Sequence, residues 1–514
     1  MKRHPTPEPR AFLAAGSDIG NGLTKLAILG PDGRPLDVKN EQSGLAWTPT
    51  ALFFGPDEIV FGDAAIGTQA LNPDAFLSGD QIKLNLANPD WRWKAPDGRS
   101  YSAKELYEII AARACRLIAL QAGDQPFAVV PTHPENFSEV ARRAVLESYQ
   151  AAGVKVLDLV SEPVAAAYAL AVLEGGFQTA VIIDIGAGTT DITIVLFEGK
   201  TLRVKAHAGI RELGGRDFTR LPEDHYLAEL KKAHGFVPDR NNPEHRALLA
   251  DVQVSAERAK IALSSVAEAT IVAKVPGGKA VAVRVTRKLF EELARPLADQ
   301  IVDLAKRTLP EAGIGAADAK WYLVGGGSRI PLVMNRLHED LGVEARVHPE
   351  ATNAIARGAA LIAAERIKEQ KLDTVDTEGR KLVGPGIDLI GAAPHTLGVL
   401  SHMDDKNAPM RLVPLITRNT ALPKKAQHLF YPVQDMQRAC QFELVQGEPN
   451  ALREQCQIVG DVVLPLDPPA RLDDAMRVTF EYTRSGLVEV EATYVRTGRS
   501  VRCKIRAPGT QAAA

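Results

Sequence analysis

Val181-Ile182-Ile183-Asp184-Ile185-Gly186-Ala187-Gly188-Thr189-Thr190-Asp191 is an apolar strand that ends in an aspartate, a glycine turn and a threonine pair. Ile192-Thr193-Ile194-Val195-Leu196 follows at once, so the stretch reads as a β-hairpin with Gly186, Ala187 and Gly188 at its tip. The same design occurs near the start, in Gly16-Ser17-Asp18-Ile19-Gly20-Asn21-Gly22-Leu23-Thr24-Lys25. Glycine at a tip lets backbone N–H groups approach a phosphate closely. Asp18 and Asp184 suit a Mg²⁺ ion held through its waters, since a hard cation of this size gives up its shell reluctantly. One such hairpin is only a turn. Two, each opening a half of comparable length, predict a duplicated domain clamping a nucleotide between its halves.

The totals agree with a globular protein of two or three domains: 514 residues, 45% hydrophobic and 24% charged. A formal charge of −2 leaves no basic footprint for nucleic acid or for a membrane surface. No stretch approaches the roughly 20 apolar residues of a membrane helix. Met1 to Arg10 is polar and proline-rich, and the apolar run after it is too short for a signal peptide, so a cytoplasmic location is expected. Cys115, Cys440, Cys456 and Cys503 lack CxxC spacing, which points to reduced thiols rather than zinc or disulfides.

Strands and helices alternate from residue 11 to 370, the signature of an α/β architecture. Phe127 to Pro131 reads as a buried strand, Ser138 to Ala152 as an amphipathic helix, and Val164 to Leu173 as a helix entered through Pro163. Trp321 to Val324 runs as a strand into Gly325-Gly326-Gly327-Ser328-Arg329, and Ala354 to Lys368 is a helix of small residues. Residues 371–390 have the composition of a linker. From 391 to 507 short strands separated by turn signals predict a β-sandwich, followed by a tail at 508–514.

This order of motifs resembles the seventy-kilodalton heat-shock chaperones, the DnaK-like proteins, whose ATPase half belongs to the actin and hexokinase superfamily. Both hairpins, the Leu159 to Tyr168 segment, the turn at Leu323 to Pro331 and the helix Ala354 to Ala364 match that superfamily's core. Chaperone-specific likeness lies in Glu212-Leu213-Gly214-Gly215-Arg216-Asp217-Phe218, in Ser255 to Lys260, and in three β-domain segments. Those are Pro394 to Gly398, Arg418 to Pro423 and Leu444 to Glu448. The resemblance implies an actin-like α/β ATPase domain of two similar lobes and a C-terminal all-β sandwich.

It also implies roles. Asp18 and Asp184 would hold the Mg²⁺ shell, Thr189 would sit near the γ-phosphate, and Glu162 would help place metal and water. Lys83 would offset charge developing on the phosphates, Asp191 would orient the attacking water, and Pro131 would relay the nucleotide state outward. Gly20, Asn21, Gly22, Gly186, Ala187 and Gly188 would wrap the phosphates. Glu257 and Lys260 would bond ribose hydroxyls, Ser264 the base, Gly325 and Gly326 would border the adenosine, and Arg329 would stack on adenine. ATP or ADP with Mg²⁺ is the implied cofactor set. Departures from the family pattern are Asn21 and Gly22 in place of two threonines, Ala187 in place of glycine, and Ile261 in place of an arginine that stacks on adenine. These predict altered nucleotide affinity with the ATPase site retained.

In the β-domain the resemblance implies a groove for extended apolar peptides at Val399, Phe430, Cys440 and Phe442, with His402 near an arch. The same positions also read as plain sandwich core by alternation. Typical relatives continue into a helical lid, which is not expected here. The implied activity is that of an ATP-hydrolysing chaperone for apolar peptide segments, served by a J-domain cochaperone and a nucleotide exchange factor. The alternative is a nucleotide-gated scaffold holding one dedicated protein partner. A small-molecule kinase of the superfamily fits less well, because no sugar site is evident.

Overall fold

Both hairpins are the tips of sheets built on one plan. The computed structural model describes residues 11–69, 72–135, 137–175, 178–239, 241–348, 351–402, 408–483 and 487–504. In the first sheet Ala11–Ile19, Leu23–Leu29 and Pro35–Asp37 form an antiparallel meander, and Phe127–His133 and Lys155–Val156 run parallel beside it. The second sheet repeats this with Thr179–Ile185, Thr190–Glu198 and Thr201–Ile210, flanked in parallel by Lys320–Val324 and Ala345–Val347. Each sheet is covered on both faces, which is why its strands are almost continuously apolar. Val181, Ile183 and Ile185 point into the second lobe's core, while Ala180 and Ile182 point into a core shared by the two lobes.

That shared core holds two alanine-rich helices, Glu162–Leu173 and Ala354–Glu369. They cross at Gly358, where a Cβ would stand 1.8 Å from the carbonyl oxygen of Ala165. Only glycine permits that approach. Pro163 occupies the first turn of one helix, where its missing N–H costs nothing. The helix Glu139–Ala151 starts on Ser138, whose Oγ accepts from the Ala141 N–H, a cap worth about 1 kcal/mol.

The C-terminal unit is a sandwich of two four-stranded sheets. One has the order Arg411–Ile416, Leu397–Ser401, Gln437–Gln446, Gln457–Ala470; the other runs Lys424–Phe430, Met476–Tyr482, Val488–Tyr494, Ser500–Lys504. Alternation builds its core: Val488, Val490, Ala492 and Tyr494 face inward from a single strand. The expected architecture, two similar α/β lobes followed by an all-β sandwich, is the one observed. The tail at 508–514 lies outside the described residues.

The stretch of linker composition is not a bare tether. Asp373–Val375 pairs in parallel with Ala11–Ile19, and Lys381–Leu382 pairs with Asp373–Val375. Asp388–Ile390 then extends the second sheet beside Thr201–Ile210. Composition missed these strands because each is two or three residues long and is held by pairing to a distant edge. Beyond them the sandwich is seated against both lobes. His207 Nε2 donates to the Ala393 carbonyl at 3.1 Å, and His395 Nε2 to the Phe137 carbonyl at 3.1 Å. Arg142 donates to the Tyr482 hydroxyl at 2.9 Å, and the Val488 N–H to Glu139 at 3.1 Å.

Candidate functional site

Backbone geometry at the two tips is the same. The Gly20 N–H bonds the Leu23 carbonyl at 3.0 Å, and the Gly186 N–H bonds the Thr189 carbonyl at 2.9 Å. The tips also touch each other. A Cβ on Gly22 would lie 3.2 Å from the Ala187 Cβ, and one on Gly188 would lie 3.0 Å from Asn21 Nδ2. The departures at Gly22 and Ala187, read separately in the sequence, are therefore one steric adjustment: a side chain is lost where its neighbour gains one.

Behind the tips four carboxylates gather from both lobes: Asp18, Glu162, Asp184 and Asp191 are all buried. Lys83, at the end of the short helix Gly79–Lys83, is 2% exposed and donates to Glu162 Oε1 at 2.7 Å and to the Ile19 carbonyl at 2.6 Å. It is an interior lysine bonded to one of the four carboxylates. Asp184 Oδ1, both carboxylate oxygens of Asp191 and Asn21 Oδ1 are buried without a hydrogen-bond partner. Orphaned acceptors concentrated at one spot are unusual in a protein interior and mark a place built for something else to complete. Burial, with the charges of Glu162 and Asp18 close by, pushes the Asp184 carboxyl up to about 7. Burial and the negative charge of Glu162 also raise Asp191 well above the usual carboxylate range. Such a cluster calls for positive charge.

Among the described residues no three His, Cys, Asp or Glu side chains converge as a direct metal cage. The orphaned Asp184 Oδ1 is an acceptor of the kind that a water of a hydrated Mg²⁺ would satisfy, and Asp18 is buried in the same carboxylate group.

The nucleoside positions are spread over two elements. Glu257 and Lys260 lie on the helix Pro243–Leu263, and Ser264 caps its end. Lys260 differs from expectation: its ammonium is buried and donates to the Gly215 carbonyl and to Thr219 Oγ1, both at 2.8 Å. The Gly215 N–H bonds the Gly186 carbonyl at 2.8 Å, so Lys260 ties this helix to the second tip. Ile261 is 61% exposed, a large apolar side chain left open on the same helix. Gly325 adopts φ 81° to begin the turn that carries Gly326 and the exposed Arg329.

Two features escaped the sequence reading. Arg216, on the helix Gly215–His234, forms an ion pair across the cleft with Asp80. Lys25 lies directly across the first hairpin from Asp18 and donates to its Oδ2 at 2.7 Å. Its signal was present: Lys25 follows Asp18 by the same seven positions that separate Asp191 from Asp184.

The proposed groove positions come together in the sandwich core. Val399, Phe430, Cys440 and Phe442 are buried in one cluster, with the Phe430 and Phe442 rings 5.6 Å apart. His402 Nδ1 donates to the Ala408 carbonyl at 2.7 Å. Among the described residues no helix is long and apolar enough to cross a membrane.

Comparison with known proteins places these features in a family. A family model described as Hsp70 protein matches residues 85–514. The chaperone protein DnaK of Thermotoga neapolitana is 29% identical over 500 residues, covering 96% of this chain and 80% of its own length. The DnaK chaperones of Thermosipho melanesiensis and Deinococcus proteolyticus are each 28% identical, covering 94% and 95% of this chain and 78% and 77% of their own lengths.

Proposed function

Because this chain belongs to the Hsp70 family of ATP-hydrolysing chaperones, we propose that Mg-ATP hydrolysis in its cleft governs the grip of the β-sandwich on extended apolar segments of other proteins. One observation carries this reading. Asp388–Ile390 extends the sheet that bears the second hairpin, so the chain entering the sandwich is hydrogen-bonded to the lobe that holds Asp184. A movement of that lobe on loss of the γ-phosphate is then felt at the sandwich, a hinge-type coupling.

In the cleft, phosphoryl transfer to water is mainly positioning and electrostatics. Asp18 and Asp184 would hold Mg²⁺ through its waters, and the ion would supply positive charge to the phosphates. Lys83, fixed by Glu162 and the Ile19 carbonyl, offsets charge on the transferred group. Thr189 and Asp191 border the attacking water. Gly20, Asn21, Gly22, Gly186, Ala187 and Gly188 surround the phosphates, and Glu257, Ser264, Gly325, Gly326 and Arg329 flank the nucleoside. A J-domain cochaperone and an exchange factor are the partners this mechanism calls for.

A second reading, a scaffold gated by nucleotide and dedicated to one partner, is favoured by the closed core at Phe430, Cys440 and Phe442. The two are separated by titrating the full chain against fluorescent leucine-rich peptides in ATP and in ADP. Weak binding that differs between nucleotides, with the difference lost in Asp184→Asn, supports the chaperone. No peptide binding, alongside stoichiometric capture of one protein, supports the scaffold.

A further inference from the structure

We propose that Lys25 is a resident cation of the phosphate site, binding nucleotide polyphosphate directly and lessening the site's dependence on Mg²⁺. The proposal rests on the reading of the cleft as a nucleotide site and adds to it a residue outside the expected set.

The two hairpins carry the argument. In each, an aspartate beside the tip faces the residue seven positions on: Asp184 faces Asp191, and Asp18 faces Lys25. The second hairpin thus sets two carboxylates against each other, whereas the first supplies its own counter-charge. Lys25 has a side chain only 12% exposed, and desolvating an ammonium is costly unless strong acceptors surround it. Among the described residues it donates to Asp18 alone, which leaves donors of a three-donor group unused. Lys83 nearby, by contrast, has two acceptors. Lys25 also feels the charges of Asp184 and Glu162, so it stands among carboxylates of both lobes rather than at the hairpin's outer edge.

The charge balance leads to the same place. Asp18, Glu162, Asp184 and Asp191 face two lysines, Lys25 and Lys83, and a polyphosphate adds further negative charge. Asn21 and Gly22 bring no hydroxyl to the first tip. A compact ammonium on a flexible stem is a good phosphate ligand, and Lys25 is one step behind that tip.

The test is calorimetric titration of ADP, and of adenosine as a ligand without phosphate, in Mg²⁺ and in EDTA. The proteins are the wild type, Lys25→Met and Lys25→Arg. The expected result is that Lys25→Met weakens ADP binding in EDTA by about tenfold or more, the size of one lost charge-assisted contact. The loss should be smaller in Mg²⁺, adenosine binding should be unchanged, and Lys25→Arg should recover most of the affinity. Equal ADP affinity of wild type and Lys25→Met in EDTA overturns the proposal. So does parallel weakening of ADP and adenosine, which would mean that Lys25 only braces the hairpin. If Lys25→Met does not fold, Lys25→Gln carries the same comparison. Failure of the wild type to bind ADP even in Mg²⁺ would instead overturn the nucleotide reading beneath it.

Discussion

The cleft between the lobes and the core of the sandwich keep their interiors in opposite ways. In the cleft, buried acceptors on Asn21, Asp184 and Asp191 lack partners, and carboxylates crowd one another. In the sandwich, the positions matched to a peptide groove pack on each other, Phe430 against Phe442 and Cys440 beside them. The difference teaches where binding energy comes from. A cation or hydrogen-bond donor entering the cleft relieves electrostatic strain already present, whereas a peptide entering the sandwich at these positions must first displace side chains packed against one another.

The sharpest way to break this contrast is Phe442→Ala. If the ring is core, its loss costs about 3–5 kcal/mol of stability, read as a lower denaturant midpoint for the sandwich, and Phe442→Leu costs much less. A variant as stable as wild type with unchanged peptide affinity would show that Phe442 is not packed as described. Val399→Asp, attractive from sequence as a groove probe, would instead bury a carboxylate in the same core and unfold it.

Asp184→Asn addresses the other side. It should lower ATP turnover by roughly an order of magnitude or more while raising the melting temperature of the nucleotide-free protein, because it removes a like charge from among Asp18, Glu162 and Asp191. Lower activity with lower stability would contradict the picture of a strained cleft.

The contact between tips yields a finer test. Gly22→Thr should destabilise the protein by about 1–3 kcal/mol through overpacking against Ala187, and Gly22→Thr with Ala187→Gly should recover it. Additive effects in that double-mutant cycle would mean the tips are not coupled.

The smallest expected effect is at the seat of the sandwich. His395 is held neutral there: burial, then the nearby charges of Arg142, His207 and Arg211, lower its pKa from 6.5 to about 3 despite its bond to the Phe137 carbonyl. The released ring takes up a proton below 6.5 and the seated ring does not, so seating is intact above pH 6.5 and weakens as the pH falls below it. With the ring partly exposed, the loss is about 1 kcal/mol by pH 5. Glu139, raised by burial, takes up its proton in the seated state above the ordinary carboxylate range and so offsets part of this loss as the pH falls. Domain separation measured by fluorescence transfer should therefore rise from pH 7 to 5, and His395→Gln should flatten the profile.

Much of the fold was legible because its signals are local. Asp-Gly tips after apolar runs, the Pro163 helix entry and period-two strands such as Val488–Tyr494 are written in adjacent residues. Lys83 was legible through resemblance alone, since nothing beside it in the chain shows that it will be interior. Lys25 went unread although it follows Asp18 by the same seven positions that separate Asp191 from Asp184, because that spacing gains its meaning from the hairpin register.

Sequence by itself determined the two hairpins, the alanine-rich helices and the change to a β-domain, since strand and helix periodicity and turn chemistry act over a few residues. Tertiary structure alone decided that Gly22 and Ala187 share one contact, that Lys260 is tied to Gly215, that Asp388–Ile390 joins the second sheet, and that Phe442 is closed in a core. The physical reason is the same in each case: packing and desolvation depend on groups brought together from distant parts of the chain, and no local pattern records which groups those will be.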